Sequence, residues 1–408
     1  MRTTPRAPLH PLTTKVWVLT GVVAVADFVF GATFVTFMGQ QGLNAAAIGL
    51  LLSIPAVTSV LVEAPSGAWG DRFGHRKLVL GGLLTWGAGL VVFAAADTPV
   101  VFGIAILFWA TGLALYSGAA TALLINTLSA DDLRTDGDTA LRGAELIRWL
   151  AAAGGAAVVA GTAWAVSTGI SILISGILLL AAGVWVAATW PESPTRSHLP
   201  VGRSLLRGVR LVFASSSRSL VAFSVLASVD LAIVILTWQP MTIEVVGLDR
   251  ASLGVVLLVL SLGTAAGAWT TRWLRRFDPG LVLVVSLVAL NGALVVALLG
   301  SPAVGAIYLA AEVLLGVALT TLAVWAQRTF PDRLRATATS VLGTVTGVTI
   351  AATNAVVGPL WERIGLTGAV AVSGAVLLTI TAGIGCATLA NRARLRWRAR
   401  DGEARRTP

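Results

Sequence analysis

Asp27, Asp230 and Glu312 each stand inside a long apolar run, and they are the residues whose type and placement point to chemistry. Asp27 follows Lys15 by 12 residues, and Asp230 follows Arg218 by 12. At 1.5 Å per helical residue each lies about 18 Å along its helix, near the middle of a hydrocarbon core about 30 Å thick. Glu312 is similarly deep, ten residues after Pro302. An ionised group at that depth costs about 2.5–3.5 kcal/mol, so three uncompensated acids would cost on the order of 8–10 kcal/mol. None has a Lys, Arg or His nearby on its own run. A carboxyl group can escape the cost by taking up a proton, and proton capture and release inside a membrane is the chemistry these acids offer. Their alternative use is as interhelical hydrogen-bonding groups. Other chemistries find no residues. His10, His75 and His198 all lie outside the membrane interior, which removes a histidine relay. No Ser-His-Asp set, metal-ligand spacing or nucleotide-binding loop occurs, so the chain reads as a non-enzyme needing no metal and no cofactor.

The elements that must hold these acids are membrane helices. Hydrophobic residues make up 56% of the 408 positions and charged residues 12%, against about 25% charged in soluble domains. Twelve apolar runs are long enough to cross a bilayer: 15–38, 44–66, 77–96, 99–128, 143–166, 167–190, 217–240, 251–274, 280–300, 302–328, 336–360 and 366–390. They are continuous or helix-periodic, unlike the short alternating segments of a β-barrel. The net charge of +10 does not signal nucleic acid, because of where the charge falls. Of the 29 Lys and Arg, all but Arg250 and Arg363 precede the first run, lie in or beside an even-numbered connection, or follow the last run. Basic residues collect on the cytoplasmic face, which places both termini in the cytoplasm and independently supports twelve spans. The first run is too long for a signal-peptide core and is expected to be retained. Cys386 is the single cysteine, so no intramolecular disulfide forms. The basic tail, 392–406, is expected to anchor topology, with anionic lipid headgroups as the alternative partner. Twenty-seven Arg against two Lys, with abundant Ala, Gly and Val, suit a bacterial gene and the plasma (inner) membrane.

The longest polar stretch, rich in Ser, Pro and Arg, separates the sixth run from the seventh. It divides the chain into an N-terminal six-helix bundle (1–190), a cytoplasmic linker (191–216) and a C-terminal six-helix bundle with its basic tail (217–408). The halves echo each other. Gly67-Ala68-Trp69 with Arg72 recurs as Gly267-Ala268-Trp269 with Arg272, and Ile48-Gly49-Leu50-Leu51-Leu52 has a counterpart in Leu253-Gly254-Val255-Val256-Leu257.

Between the second and third runs the chain reads Gly67-Ala68-Trp69-Gly70-Asp71-Arg72-Phe73-Gly74-His75-Arg76-Lys77. In this setting it resembles the loop between the second and third helices of the major facilitator superfamily of transporters. Gly67, Asp71, Arg72, Gly74 and Arg76 fit that family's pattern and Lys77 follows, while His75 replaces an arginine. The resemblance implies an all-α membrane protein with twelve transmembrane helices in two pseudo-symmetric six-helix bundles that rock about a central site. It also implies that the first, fourth, seventh and tenth helices line a central cavity. Asp27, Asp230 and Glu312 would then face one another across it. Phe30, Gly31 and Phe34 would flank Asp27, Thr237 would share the face of Asp230, Tyr308 would lie one turn from Glu312, and Trp109 and Tyr116 would share a face of the fourth helix. Asp71 would meet the N-terminal end of the eleventh helix near Ala336 and hold the outward-facing state shut.

An apolar, aromatic cavity with a few acids suits a lipophilic or cationic small molecule. The expected function is proton-coupled efflux of such a compound, a drug or natural product, by a monomer in the lipid bilayer, with protons as the second partner and no nucleic acid. Exporters of this superfamily carry Gly-Pro-x-x-Gly-Gly on the fifth helix; here Ala153-Gly154-Gly155-Ala156 lacks the proline. A proton-coupled importer of a metabolite is the alternative, and a receptor or assembly protein with a transporter-like fold is a third.

Overall fold

The computed structural model describes residues 11–127, 138–165, 167–191, 202–331 and 334–404. Among the described residues the regular structure is helical and no strand occurs. The first half comprises α1 (Pro11–Gly31), α2 (Phe34–Gln40), α3 (Ala45–Leu51), α4 (Ile54–Phe73), α5 (His75–Ala94), α6 (Pro99–Thr127), α7 (Asp138–Ala165) and α8 (Thr168–Thr189). A connecting helix, α9 (Gly202–Val212), follows. The second half comprises α10 (Arg218–Pro240), α11 (Leu253–Leu274), α12 (Pro279–Val296), α13 (Pro302–Ala310), α14 (Glu312–Thr329), α15 (Arg335–Ile364) and α16 (Leu366–Ala404). Eleven segments are long and apolar enough to cross a membrane, and Leu146–Thr162 within α7 is a shorter apolar stretch. Together they match the twelve runs read from the sequence.

Three of those runs are interrupted. The first breaks after Gly31, where the Thr33 hydroxyl turns back to donate to the Val29 carbonyl at 2.9 Å. The second breaks at Leu52–Ser53, just before Pro55 near the start of α4, and the tenth at Ala311 beside Glu312. In the seventh, Pro240 cannot donate a backbone hydrogen bond, and the next turn widens so that Val246 N donates to Met241 O. The polar stretch after the sixth span contains a helix the sequence reading left as linker: α9 buries Gly208 and Val212 and exposes Leu206, Arg207 and Arg210.

The packing repeats. In the first half, span one packs on five, two on four and three on six; in the second, seven packs on eleven, eight on ten and nine on twelve. These are two pseudo-symmetric six-helix bundles. They meet where span two packs on eleven and span five on eight. Glycines set how closely the backbones approach. A Cβ on Gly49 would stand 2.3 Å from the Asn354 carbonyl oxygen, and one on Gly358 2.5 Å from that of Ala45. Within the second half, Gly267 and Gly316 do the same at the crossing of spans eight and ten. Large apolar side chains stay exposed on the outer surface, among them Leu61, Val100 and Val259. Water would oppose that arrangement; acyl chains accept it.

With twelve spans, the first and last helices begin and end on one side, here the near side. It carries the α4–α5 turn at Gly74 (φ 93°) and the C-terminal ends of α8, α11 and α14. Two basic residues cap α8 there: the Lys15 ammonium donates to the Thr189 carbonyl and the Arg76 guanidinium to that of Ala187. Carbonyls in a last helical turn lack intrahelical partners, so cations are favoured there.

Candidate functional site

A cavity of about 740 Å³ opens inside the first half, against span eight of the second. Span one contributes Thr20, Ala24, Asp27, Phe28 and Gly31; span four, Leu113, Tyr116 and Ser117; span five, Ala144, Arg148 and Ala152; span three, Trp86. Leu257 and Ser261 of span eight close it on the far side, Leu257 packing 3.8 Å from where a Cβ on Gly31 would stand. The Arg148 charge acts on both Asp27 and Tyr116. An acid and a base thus face the same intramembrane space, each offsetting the cost of the other's charge.

The described hydrogen bonds between the halves all lie toward the far side. Gln239 of span seven accepts from the backbone N–H and the hydroxyl of Thr36, both at 2.9 Å, and donates to the Gly31 carbonyl at 2.9 Å. Ser53 donates to the Ala351 carbonyl at 2.8 Å and Asn354 to the Leu52 carbonyl at 3.1 Å. At the rim, the Asn44 amide donates to Glu362 at 3.0 Å.

Of the expected residues, Asp27, Gly31 and Tyr116 line the cavity; Asp230, Glu312, Phe30, Phe34, Trp109, Thr237 and Tyr308 do not. Asp230 is fully buried inside the second bundle, where the Asn291 amide of span nine donates to it at 3.3 Å. Glu312 accepts from the Thr264 hydroxyl of span eight at 3.3 Å. The three acids therefore do not face one another. Matching depth fixes the position of a residue along its helix and leaves its rotation free. At 100° per residue, Gln239 lies about 180° around the helix from Asp230, and Gln239 is the side that meets span one. Thr237 shares the inward face of Asp230 and bonds the Tyr308 hydroxyl at 2.7 Å, both buried. Phe30, Phe34 and Trp109 form an aromatic cluster rather than a cavity wall. The Phe30 centroid lies 4.8 Å from that of Trp109, 5.3 Å from Phe34 and 5.2 Å from Phe93. Phe28, two residues earlier, takes the cavity position, and Gly155 of span five gives it room.

Sequence reasoning missed Arg148 and Gln239. Arg148 stands within the apolar stretch Leu146–Thr162, and Gln239 is a strong hydrogen-bonding group near the end of an apolar run; both signals were present. In the charged turn, Gly74 adopts the left-handed conformation that favours glycine. Arg76 reaches α8, Lys77 is exposed, and His75 is buried with its ring against Gly70. The side chains of Asp71, Arg72 and Ala336, and the surroundings of Gly67, lie outside the described residues.

A family model described as the Major Facilitator Superfamily matches residues 16–354. The inner membrane transport protein YajR of Escherichia coli is 32% identical over 102 residues, 25% of this chain and 21% of YajR. The multidrug resistance protein MdtH of Yersinia enterocolitica is 31% identical over 97 residues, 24% of each chain. The chain thus matches about a quarter of the length of either relative. Among solved structures, the nucleoside transporter NupG superposes with a TM-score of 0.77 at 15% identity, over 93% of this chain and 99% of that one. A bacterial homologue of the lysosomal transporter Spinster, captured inward-facing, gives 0.72 at 15% identity over 94% and 97%. Eleven membrane-length helical segments and one shorter apolar stretch, arranged in two repeated bundles with an intramembrane cavity, and a family match over most of its length, identify the chain as a member of the Major Facilitator Superfamily, a multi-pass membrane transporter.

Proposed function

We propose that this transporter couples proton entry to the export of a small hydrophobic or cationic compound, working as a single chain in the inner membrane with both termini in the cytoplasm. The observation that carries the reading is that Asp27 and Arg148 stand on the wall of one cavity of about 740 Å³, near enough for the Arg148 charge to act on the carboxyl group. A cationic ligand and a proton compete for the same carboxylate: either one neutralises Asp27 and ends its attraction for Arg148. Such competition makes one site serve an exchange. Tyr116, Phe28 and Leu113 supply the apolar and aromatic area that binds a lipophilic body. The far-side clasp closes the cavity to the outside while the near side admits ligand, and rocking of the two bundles reverses the access.

Thr20, Ser117 and Ser261 also line the cavity, and these hydroxyls favour the second reading, proton-coupled import of a polar metabolite. Everted and right-side-out vesicles distinguish the two. Export predicts pH-driven accumulation of a lipophilic cationic dye in everted vesicles; accumulation confined to right-side-out vesicles means import. Asp27→Asn is expected to insert normally and to lose the pH dependence of transport. Unaltered coupling in that variant would reject Asp27 as the proton carrier.

A further inference from the structure

Away from the central cavity, the near-side ends of spans eight, nine and ten enclose a second concavity of about 220 Å³. Three arginines line it, Arg272, Arg275 and Arg328, together with Trp325 and aliphatic side chains; none of its described lining residues is acidic. Asp278, between two lining residues, is engaged as the N-cap of α12, accepting from Leu281 N at 3.1 Å. Arg272 is held in place by stacking: its guanidinium carbon lies 3.6 Å from the Trp269 centroid and 4.1 Å from that of Trp273. Helix dipoles explain a cation at the C-terminal end of α11 or α14 taken singly. The cytoplasmic bias of basic residues accounts for cations on this side; converging three of them on one hollow adds a mutual repulsion that an anion between them would relieve.

We propose that Arg272, Arg275 and Arg328 bind a phosphate-bearing anion. Arginine is suited to it, because the planar guanidinium fork matches phosphate oxygens in pairs. The surroundings favour phosphate carried on a lipid over free phosphate. Trp269, Trp273 and Phe277 are about half exposed on this flank, as aromatic residues are at the headgroup level, and exposed Val324 continues the apolar surface beside the hollow. An anionic phospholipid would set its headgroup among the arginines and its acyl chains along that surface.

Native mass spectrometry of the full chain, released from detergent with phosphatidylglycerol, phosphatidylcholine or inorganic phosphate, tests this. Phosphatidylglycerol is expected to be retained in preference to phosphatidylcholine, and Arg275→Gln with Arg328→Gln to weaken its retention by about tenfold or more. Arg207→Gln with Arg210→Gln, on the exposed face of α9, is expected to leave it unchanged. Equal retention of both lipids, or full phosphatidylglycerol retention by the Arg275/Arg328 variant, overturns the proposal. Displacement of the lipid by an equal concentration of inorganic phosphate overturns the lipid assignment and leaves a free anion as the occupant. Should the double variant not insert, Arg275→Gln alone carries the same comparison.

Discussion

Asp27 and Arg148 are unlike partners in one respect that decides how their loss is felt. A carboxyl group can shed its charge by taking up a proton, whereas a guanidinium in a protein keeps its own. Removing Arg148 leaves an acid that can neutralise itself; removing Asp27 leaves a cation that cannot. Breaking a fully buried ion pair costs about 3–5 kcal/mol, and two opposite charges that face a common cavity cost less to separate because solvent reaches them. Asp27→Asn is therefore expected to lower the thermal midpoint in detergent more than Arg148→Gln does, and the double variant to recover part of the loss. Equal midpoints for all three would mean that the two charges do not interact. Residue by residue, depth was readable from the sequence and direction was not. Counting from Lys15 put Asp27 at mid-membrane, and it faces the cavity. The same count put Asp230 at equal depth, yet it faces Asn291 inside its own bundle. An apolar run that is buried on most sides carries no amphipathic stripe to orient it. Polar side chains such as Gln239 are the surviving marks of rotation, and they mark contacts only once a partner is known.

Helix crossings are where the elements show their specificity. The chain has 43 glycines, and nothing in the sequence separates those at a crossing from those facing lipid, since the difference lies in the partner helix. Gly343 and Gly358 occupy the same helix, α15. A Cβ on Gly343 would meet nothing within 4 Å; one on Gly358 would stand 2.5 Å from the Ala45 carbonyl oxygen and 3.1 Å from Gly49 Cα. Intrinsic propensity favours alanine over glycine in a helix by about 1 kcal/mol. Gly343→Ala should accordingly be neutral or stabilising. Gly358→Ala should instead push spans two and eleven apart on the far side, despite the same gain in propensity. Thiol labelling of Asn44→Cys in a Cys386→Ser background reads this out, and faster labelling is expected with Gly358→Ala than with Gly343→Ala. Equal rates would show that the crossing does not hold the far side closed. In the second copy of the Gly-Ala-Trp repeat, Gly267 stands at such a crossing and lets span eight approach span ten.

For the whole molecule, the two-bundle architecture was legible because twelve hydrophobic runs and an alternating arginine pattern are set by the bilayer, which acts on every span alike. The state of the bundles was not legible, because alternating access uses one set of residues in two arrangements. Here the bundles touch through far-side hydrogen bonds: Gln239 with Thr36 and Gly31, Ser53 with Ala351, Asn354 with Leu52, Asn44 with Glu362. Each is a neutral or single-charge contact near the rim or in the outer half, so the set can be parted without leaving a charge pair in the hydrocarbon. A transporter that rocks must break all of them in every cycle; a receptor with this fold need not break any. Asn44→Cys with Glu362→Cys, again in Cys386→Ser, places two thiols where one hydrogen bond of 3.0 Å now runs. A short bifunctional thiol reagent should join them and stop transport, and cleavage of the link should restore it. Labelling of the unlinked thiols by an impermeant reagent in intact cells would put the far side outside and the basic near side in the cytoplasm. Undiminished transport by the linked protein would mean that these contacts do not open, and rocking about the Asp27 cavity would have to be abandoned.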